Sequence, residues 1–307
     1  MANKQYNSMK VAAVMMEKGG VGKTTIAMNL ALAAASGAMP EIKKRILLID
    51  FDDQQNLSKV SLEMGKTSTG AQLPPLHPDF DPNDPDDKEW GGRSVSVDIY
   101  YGNVVEPYPS VLDDRIDILP SDGLMKKTFE DRVKEASNRN STLMDLITNE
   151  LVNFFAEEDV QELYDLVIID CPPGVTLMTG PVLRACTDLI VPLELKPFGM
   201  EMYQKFKGEI ETEMNSGSRA FPLNIAAVVP NMFDARVALH KTYLKQVMND
   251  PNPLVKDAIA PSIHQSSEFQ YQLVPMAQKG SRKLKGNPKK QMDDVIEFIR
   301  GRIWEKV

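Results

Sequence analysis

Cysteine is scarce. Only Cys171 and Cys186 occur, too few for a disulfide framework and in keeping with a reducing cytosol. They are not spaced as a CxxC pair, which argues against a metal-loading role. A secretory leader is not in evidence, because the opening MANKQYNSMK is polar and holds no apolar run of the needed length. No segment offers roughly 18 uninterrupted apolar residues, so no transmembrane helix is expected. Positive charge is also in deficit. Lys and Arg number 35 against 43 Asp and Glu, a formal net charge of -8, so any contact with nucleic acid must come from a local basic patch. Nine residues precede the first strand, so no DNA-reading helix-turn-helix domain and no operator binding are expected.

What is present suits a globular chain. Charged residues are 25% and apolar ones 42% of 307, enough for one large α/β domain or two smaller ones. The 17 methionines suggest adaptable apolar packing and no particular function. Lys10 to Met16, KVAAVMM, reads as a buried strand. A Gly-rich loop follows, then TTIAMNLALAAAS, a helix apolar on most faces, with Gly37 as its stop. RILLID, Arg45 to Asp50, is a second buried strand, and the order makes a βαβ unit with a parallel sheet. LVIID (Leu166 to Asp170), LIVPL (Leu189 to Leu193) and IAAVV (Ile225 to Val229) repeat the pattern, and RIDIL (Arg115 to Leu119) does so more weakly. Helix-like segments separate them at Met125 to Ala136, Thr142 to Glu157, Gly199 to Met214 and Val237 to Asn249.

The expectation is one doubly wound, mostly parallel α/β domain over residues 1–307, with an irregular insertion at 65–92. Within PPLHPDFDPNDPDDKEW, Pro74 to Trp90, five prolines and six acids leave no room for a helix or a central strand. A solvated surface insertion is the plain reading, and an acidic docking loop for a basic partner the sharper one.

The loop EKGGVGKTT, Glu17 to Thr25, carries the chemistry. It nearly fits the phosphate-binding pattern G-x-x-x-x-G-K-[ST], but Glu17 stands where the first Gly belongs. Backbone N–H groups of such a turn make an anion-binding concavity, and the next helix adds its positive end. Gly19, Gly20 and Gly22 allow close approach of phosphate, Lys23 reaches the β- and γ-phosphates, and the Thr24 hydroxyl suits Mg²⁺. Asp170 ends its strand as a Walker B acid, and DCPPG then stiffens the chain where a γ-phosphate sensor would sit. Asp50 and Asp52, in IDFDDQQN, end the second strand, and Asp53 reads as a surface acid. Lys18 is a second lysine in a loop that needs one. It could contact its own nucleotide, crowding two ammonium groups beside Mg²⁺, or point outward at another subunit's nucleotide, as an arginine finger does. The crowding favours the second.

These residues carry a specific resemblance. KGGVGKTT resembles the deviant Walker A box of the ParA/MinD family of P-loop ATPases, defined by that first lysine. LLIDFDDQQNLS resembles the family's LLVDLDPQGNAT, departing at Phe51, Asp53 and Gln55 and keeping Asp50, Asp52, Gln54 and Asn56. YDLVIIDCPPG resembles YDYIIIDTPPS, with Cys171 for Thr. TDLIVPLELKPFGMEM and RIDILPSD are similar to further family segments. The likeness runs from about Lys10 to the C-terminus.

The resemblance implies ATP and Mg²⁺ as cofactors and an ATP-sandwich homodimer. Gly19, Gly20, Val21, Gly22, Lys23, Thr24 and Thr25 would bind nucleotide, and Lys18 would cross to the partner's phosphates. Asp52 would position or activate water, while Thr24, Asp170 and Asp50 would stand at or near the Mg²⁺ shell. Asn231 falls where the family reads the adenine edge. Glu17 replaces Gln or Gly, and a carboxylate beside phosphate should repel unless it faces out.

Family branches differ in what they bind. ParA-type members bind non-specific duplex DNA as ATP dimers and answer to a ParB-type centromere-binding protein. Here Lys279, Arg282, Lys283, Lys285, Lys289 and Lys290, within KGSRKLKGNPKK, form an acid-free patch, either the DNA surface or a solvated loop. MinD-type members bind membrane through a C-terminal helix. The candidate stripe is Met292, Val295, Ile296, Ile299 and Ile303, but its plain reading is the last core helix, and nearby acids suit an anionic membrane poorly. A cytoplasmic partition ATPase, nucleoid-associated when ATP-bound, is the expectation. A membrane-bound regulator or a cargo-positioning ATPase is the alternative.

Overall fold

A computed structural model describes residues 6, 8–68, 70, 72–122, 143–215, 217, 219, 221–274 and 283–305. The main sheet holds β1 (Lys10–Val14), β2 (Arg45–Asp50), β5 (Tyr108–Pro109), β6 (Ile116–Leu119), β7 (Tyr164–Asp170), β8 (Asp188–Glu194) and β9 (Asn224–Asn231). Their order is β5-β6-β2-β7-β1-β8-β9. Every pairing is parallel except the short antiparallel edge β5–β6. Parallel strands need crossovers, and the helices that supply them must cover both faces.

The strands show this double covering residue by residue. Val11, Ala13, Leu47, Ile49, Val167 and Ile169 face one apolar cluster, which α4 (Leu143–Ala156), α6 (Gly180–Ala185) and α7 (Pro197–Asn215) complete. Ala12, Val14, Ile46, Leu48, Leu166 and Ile168 face the other, with α1 (Lys23–Ala35), α2 (Asn56–Ser61) and α10 (Gly286–Trp304). Both faces being buried explains why the strands read as unbroken apolar runs. Helix α1 buries eleven of its residues, which is why it is apolar nearly all round. The chain turns at Gly37, whose φ is 85°.

The expectation of no helix within Pro74 to Trp90 is corrected. Pro85 to Trp90 forms α3, and its composition is what makes it possible. Pro85 sits in the first turn, where a missing N–H costs nothing. The Asp84 carboxylate accepts from the Asp86 amide at 3.0 Å, Asp86 and Asp87 face the positive end of the helix, and Gly91 closes it at φ 82°. A small antiparallel ladder, β3 (Gly65–Lys66) with β4 (Gln72–Leu73), begins the same stretch. His77 anchors it, buried with its ring 4.9 Å from Tyr108 and 5.5 Å from Trp90. Past α4, Glu158–Leu163 adds a short helix, α5, that the hydrophobic pattern did not announce. The expected helix at Met125 to Ala136 lies outside the described residues. Helices α8 (Ala238–Met248) and α9 (Ser267–Gln272) complete the list of elements used below.

The apolar stripe of α10 is in the core. Met292, Val295, Ile296, Ile299 and Ile303 are all buried, and the helix packs on β9 and α1. No helix among the described residues is long and apolar enough to cross a membrane. Replacing Ile299, fully buried, by Ala should therefore destabilise the fold by about 2–5 kcal/mol, measured by chemical denaturation. A loss under about 1 kcal/mol would mean that the helix is not a core element.

Candidate nucleotide site

Strand register builds the site. Asp50 at the end of β2 lies beside Asp170 at the end of β7, which in turn lies beside Val14 at the end of β1. Three chains leave the sheet at one edge, so the loop after β1 must pass over two carboxylates. Gly20 and Gly22 turn that loop with φ of 71° and 94°, the left-handed region that favours glycine. Gly22 also lies so close to the Asn231 side chain that a Cβ would overlap it. Helix α1 starts at Lys23 and points its N-terminal amides at the loop.

The cleft above the loop has a volume of about 600 Å³. Gly19, Gly20, Gly22, Lys23, Thr24 and Thr25 line it, with Asp52 and Asn231. Most of the predicted phosphate-site residues thus meet in one place. Val21 is buried beneath the loop and Asp170 beneath the site floor. The Lys23 ammonium donates to the Lys18 carbonyl at 3.2 Å, and burial pulls its pKa down while Asp170 and Asp52 push it back up. Asp52 accepts from the Gln54 amide at 3.0 Å, and burial raises its carboxyl above the usual range.

Asp170 is fully buried; among the described residues no close hydrogen bond holds either carboxylate oxygen, and the Thr24 side chain is the donor within reach. Burial and the neighbouring Asp50 charge drive its pKa well up, while the Thr24 side chain and Lys23 draw it back. A buried unpaired carboxylate is costly, and a cation relieves it. Asp170 and Thr24 therefore fit the shell of a Mg²⁺ ion. Asp50 is held differently. Its Oδ1 accepts from the Asp52 amide at 3.0 Å, and its Oδ2 accepts from the Ser58 amide at 2.9 Å and the Ser58 hydroxyl at 2.7 Å. Through these bonds Asp50 fastens the loop carrying Asp52 to α2. Burial first, and the Asp52 charge second to these bonds, leaves its pKa raised to about 6.

Three more predicted residues sit in arrangements the sequence did not give. Asn231 lines the cleft, but its amide donates to the Val21 carbonyl at 2.8 Å and its carbonyl accepts from the Met232 amide at 2.8 Å, so it braces the loop. Lys18 is not among the residues lining the cleft; its ammonium pairs with Glu194. Glu17 turns away from the loop's concave side. One oxygen accepts from the Val175 amide at 3.0 Å and the other meets Lys205 at 2.9 Å, which holds its carboxyl below the usual range against the opposing effect of burial.

Of the basic patch, Lys283, Lys285, Lys289 and Lys290 are described and all are exposed, while Lys279 and Arg282 lie outside the described residues. Lys289 pairs with Asp293. Reading the sequence missed the far wall of the cleft, made by Ile263, His264, Gln265, Ser266, Phe269, Gln270 and Leu273. No residue pattern there signals a ligand. It also missed Ser58 and the buried, left-handed Gln55 (φ 57°), whose amide donates to the Ser121 carbonyl at 2.9 Å.

A phosphate loop between a strand and a helix, on a doubly wound sheet with a buried acid at the neighbouring strand end, defines a P-loop ATPase. The comparisons narrow the class. A family model described as AAA domain (AAA_31) matches residues 9–220, most of the chain, and the chain belongs to that family. It is 28% identical over 257 residues to the chromosome partitioning protein ParA of Caulobacter vibrioides, covering 83% of this chain and 81% of that one. Among solved structures it resembles an ATP complex of a Cyanothece McdA variant, with a TM-score of 0.66 and 17% identity over 96% of each chain. It also resembles cobyrinic acid a,c-diamide synthase from Mycobacterium smegmatis with bound ADP and magnesium, with a TM-score of 0.63 and 20% identity over 97% of this chain and 96% of that one. At such identities the two structures speak for the fold alone. The sequence relatives place the chain among ParA-like partition ATPases.

Asp170→Asn keeps the shape of the side chain and removes the unpaired charge. Because burial raises the Asp170 pKa, the folded state holds this proton more tightly than the unfolded state, and stability falls as pH rises past the ordinary carboxylate range. Nucleotide-free Asp170→Asn should thus melt at least about 2 °C above the parent at pH 8, with a smaller gap at pH 5. It should also lose most of the extra stability that Mg²⁺ and ATP confer on the parent. A variant that melts lower at every pH would contradict the unpaired carboxylate.

Proposed function

We propose that this chain is a DNA-segregation ATPase that hydrolyses ATP to ADP and phosphate from a nucleotide-sandwich dimer, binds duplex DNA without sequence preference, and answers to a centromere-binding partner of the ParB type. The observation that carries this reading is the placement of the two loop lysines. Lys23 is buried in the cradle. Lys18 stands outside the cleft, its side chain partly exposed, beside the exposed Phe198 ring. A cation at the rim of one site serves best where a second copy's phosphates approach it, since charge that develops in the transition state is then met by a group that arrives only on assembly.

Each further part has its residue. Backbone amides from Gly19 to Thr24 and the Lys23 ammonium hold the phosphates. Asp52, on the cleft wall and fixed by the Gln54 amide, orients the attacking water. Thr24 and Asp170 hold Mg²⁺, which when bound neutralises charge on the phosphate oxygens. Glu17, turned aside onto Val175 and Lys205, leaves the cradle free of a competing anion. Asn231 keeps the loop in shape and so supports nucleotide binding from beneath.

For DNA, helix α10 begins with Lys285 as its cap and Lys289 and Lys290 in its first turns, with no acid in the first turn. Cations at a helix N-terminus oppose the helix dipole; Asp293 offsets this for Lys289, and a further anion against Lys285 and Lys290 would relieve the rest. Phosphate of a duplex supplies that anion at any sequence. The membrane alternative has its apolar stripe committed to the core.

Binding to a random-sequence duplex, with ATP and with ADP across a salt series, tests the reading. Binding should need ATP and weaken about a thousandfold between 50 and 200 mM salt, as for about six phosphate contacts. Equal binding in ADP, or none in either state, would contradict it. Lys18→Ala should bind ATP as the parent does and lose turnover by about a hundredfold; retained turnover would remove the lysine from the chemistry.

A further inference from the structure

Lys18 is held by its own chain. Its ammonium pairs with Oε2 of Glu194, the last residue of β8, and lies 5.6 Å from the centre of the Phe198 ring. Glu194 is 6% exposed and has little freedom to move. Its backbone pairs with Asn231 of β9, the residue that braces the phosphate loop. Gly199 of α7 packs so tightly on the Glu194 carbonyl that a Cβ there would overlap it. The other carboxylate oxygen, Oε1, pairs with the half-exposed Lys196 at 2.6 Å. One fixed, nearly buried carboxylate thus serves two cations, one from the phosphate loop and one from the start of α7.

We propose that Glu194 is a positioning residue that parks Lys18 on its own chain until a second nucleotide-bound copy arrives, and that Lys196 sets how firmly it is parked. The proposal rests on Lys18 acting across the dimer. For Lys18 to reach another copy it must leave Glu194. Stranding a buried carboxylate without a cation is strongly unfavourable, because charge out of water needs a partner. Lys196 prevents that. It stays on Oε1 and keeps the carboxylate neutralised while Lys18 departs, and in the resting chain its charge weakens the attraction that Lys18 feels. The pair resembles a latch with a built-in replacement partner. Both lysines lower the carboxyl pKa of Glu194 against the effect of burial, so the group stays charged through the exchange.

Two variants of the full chain should shift assembly in opposite directions. Glu194→Gln releases Lys18 and should lower the protein concentration at half-dimerisation, measured by sedimentation with a non-hydrolysable ATP analogue, by about fivefold or more. Lys196→Ala leaves Lys18 as the sole partner of the carboxylate and should raise that concentration by a similar factor, about fivefold. A purely structural role would not give opposite signs. An unchanged or raised midpoint in Glu194→Gln, or shifts of both variants in one direction, would overturn the proposal. Should Glu194→Gln fail to fold, Lys196→Ala decides alone: weaker assembly supports the latch, and unchanged or tighter assembly overturns it. Lys18→Ala separates the two layers. If it turns over ATP like the parent, the action of Lys18 across the dimer is lost and the latch with it. If it is inactive while Glu194→Gln assembles like the parent, only the latch is lost.

Discussion

Three neighbouring parallel strands end level with one another, and two of them end in aspartate. The pairing of Asp50 with Asp170, and of Asp170 with Val14, sets two carboxylates side by side in a place that water does not reach. Like charges so placed cannot both stay ionised and unpaired. The chain resolves one by local bonding, since Ser58 and the Asp52 amide occupy both oxygens of Asp50. The other it leaves open. Among the described residues Asp170 has no close hydrogen bond or ion pair on either oxygen, beneath a loop whose lysine and threonine border it. One acid fixes the frame, and its neighbour is left in need of a cation.

The same division of labour runs through the cations. Lys23 is inside, drawn down in pKa by burial and held up by Asp170 and Asp52. Lys18, five residues earlier, is outside and paired with Glu194. Glu17 would bring a third charge to the loop, but it is tied to Val175 and Lys205, and so joins the loop's entry to the turn after β7 and to α7. That turn is joined a second time where the Gly174 amide donates to the Met16 carbonyl at 3.3 Å. The phosphate loop and the turn after β7 are therefore tied to each other at two points.

Much of the frame was legible in the residues. Strands buried on both faces are unbroken apolar runs, so six of the seven in the main sheet announced themselves, and the glycines and GKT of the loop needed no structure to be read. The short edge β5 did not, because two residues carry no period. Helix α3 was hidden by its prolines and acids, which are breakers by composition and caps by position. The distinction between Asp50 and Asp170 was also out of reach. Both end apolar strands, and only the fold reveals that Ser58 faces one of them. That Asn231 also braces the phosphate loop could not be read from the sequence, because the close approach of Gly22 is a tertiary fact. The wall from Ile263 to Leu273 is invisible for the same reason.

Everything turns on whether Lys18 acts on a partner's nucleotide. Lys18→Ala and Asp52→Ala, each inactive alone, should be mixed in equal amounts and the rate of ATP hydrolysis measured at a protein concentration that favours dimers. In a mixed dimer, the site on the Lys18→Ala chain has its own Asp52 and receives Lys18 from the other copy. If the lysine acts across the dimer, the mixture recovers up to about a quarter of the parental rate, since half of the dimers are mixed and each has one complete site. If the lysine serves its own nucleotide, no mixed dimer holds a complete site, and a mixture as inactive as its components would contradict the account.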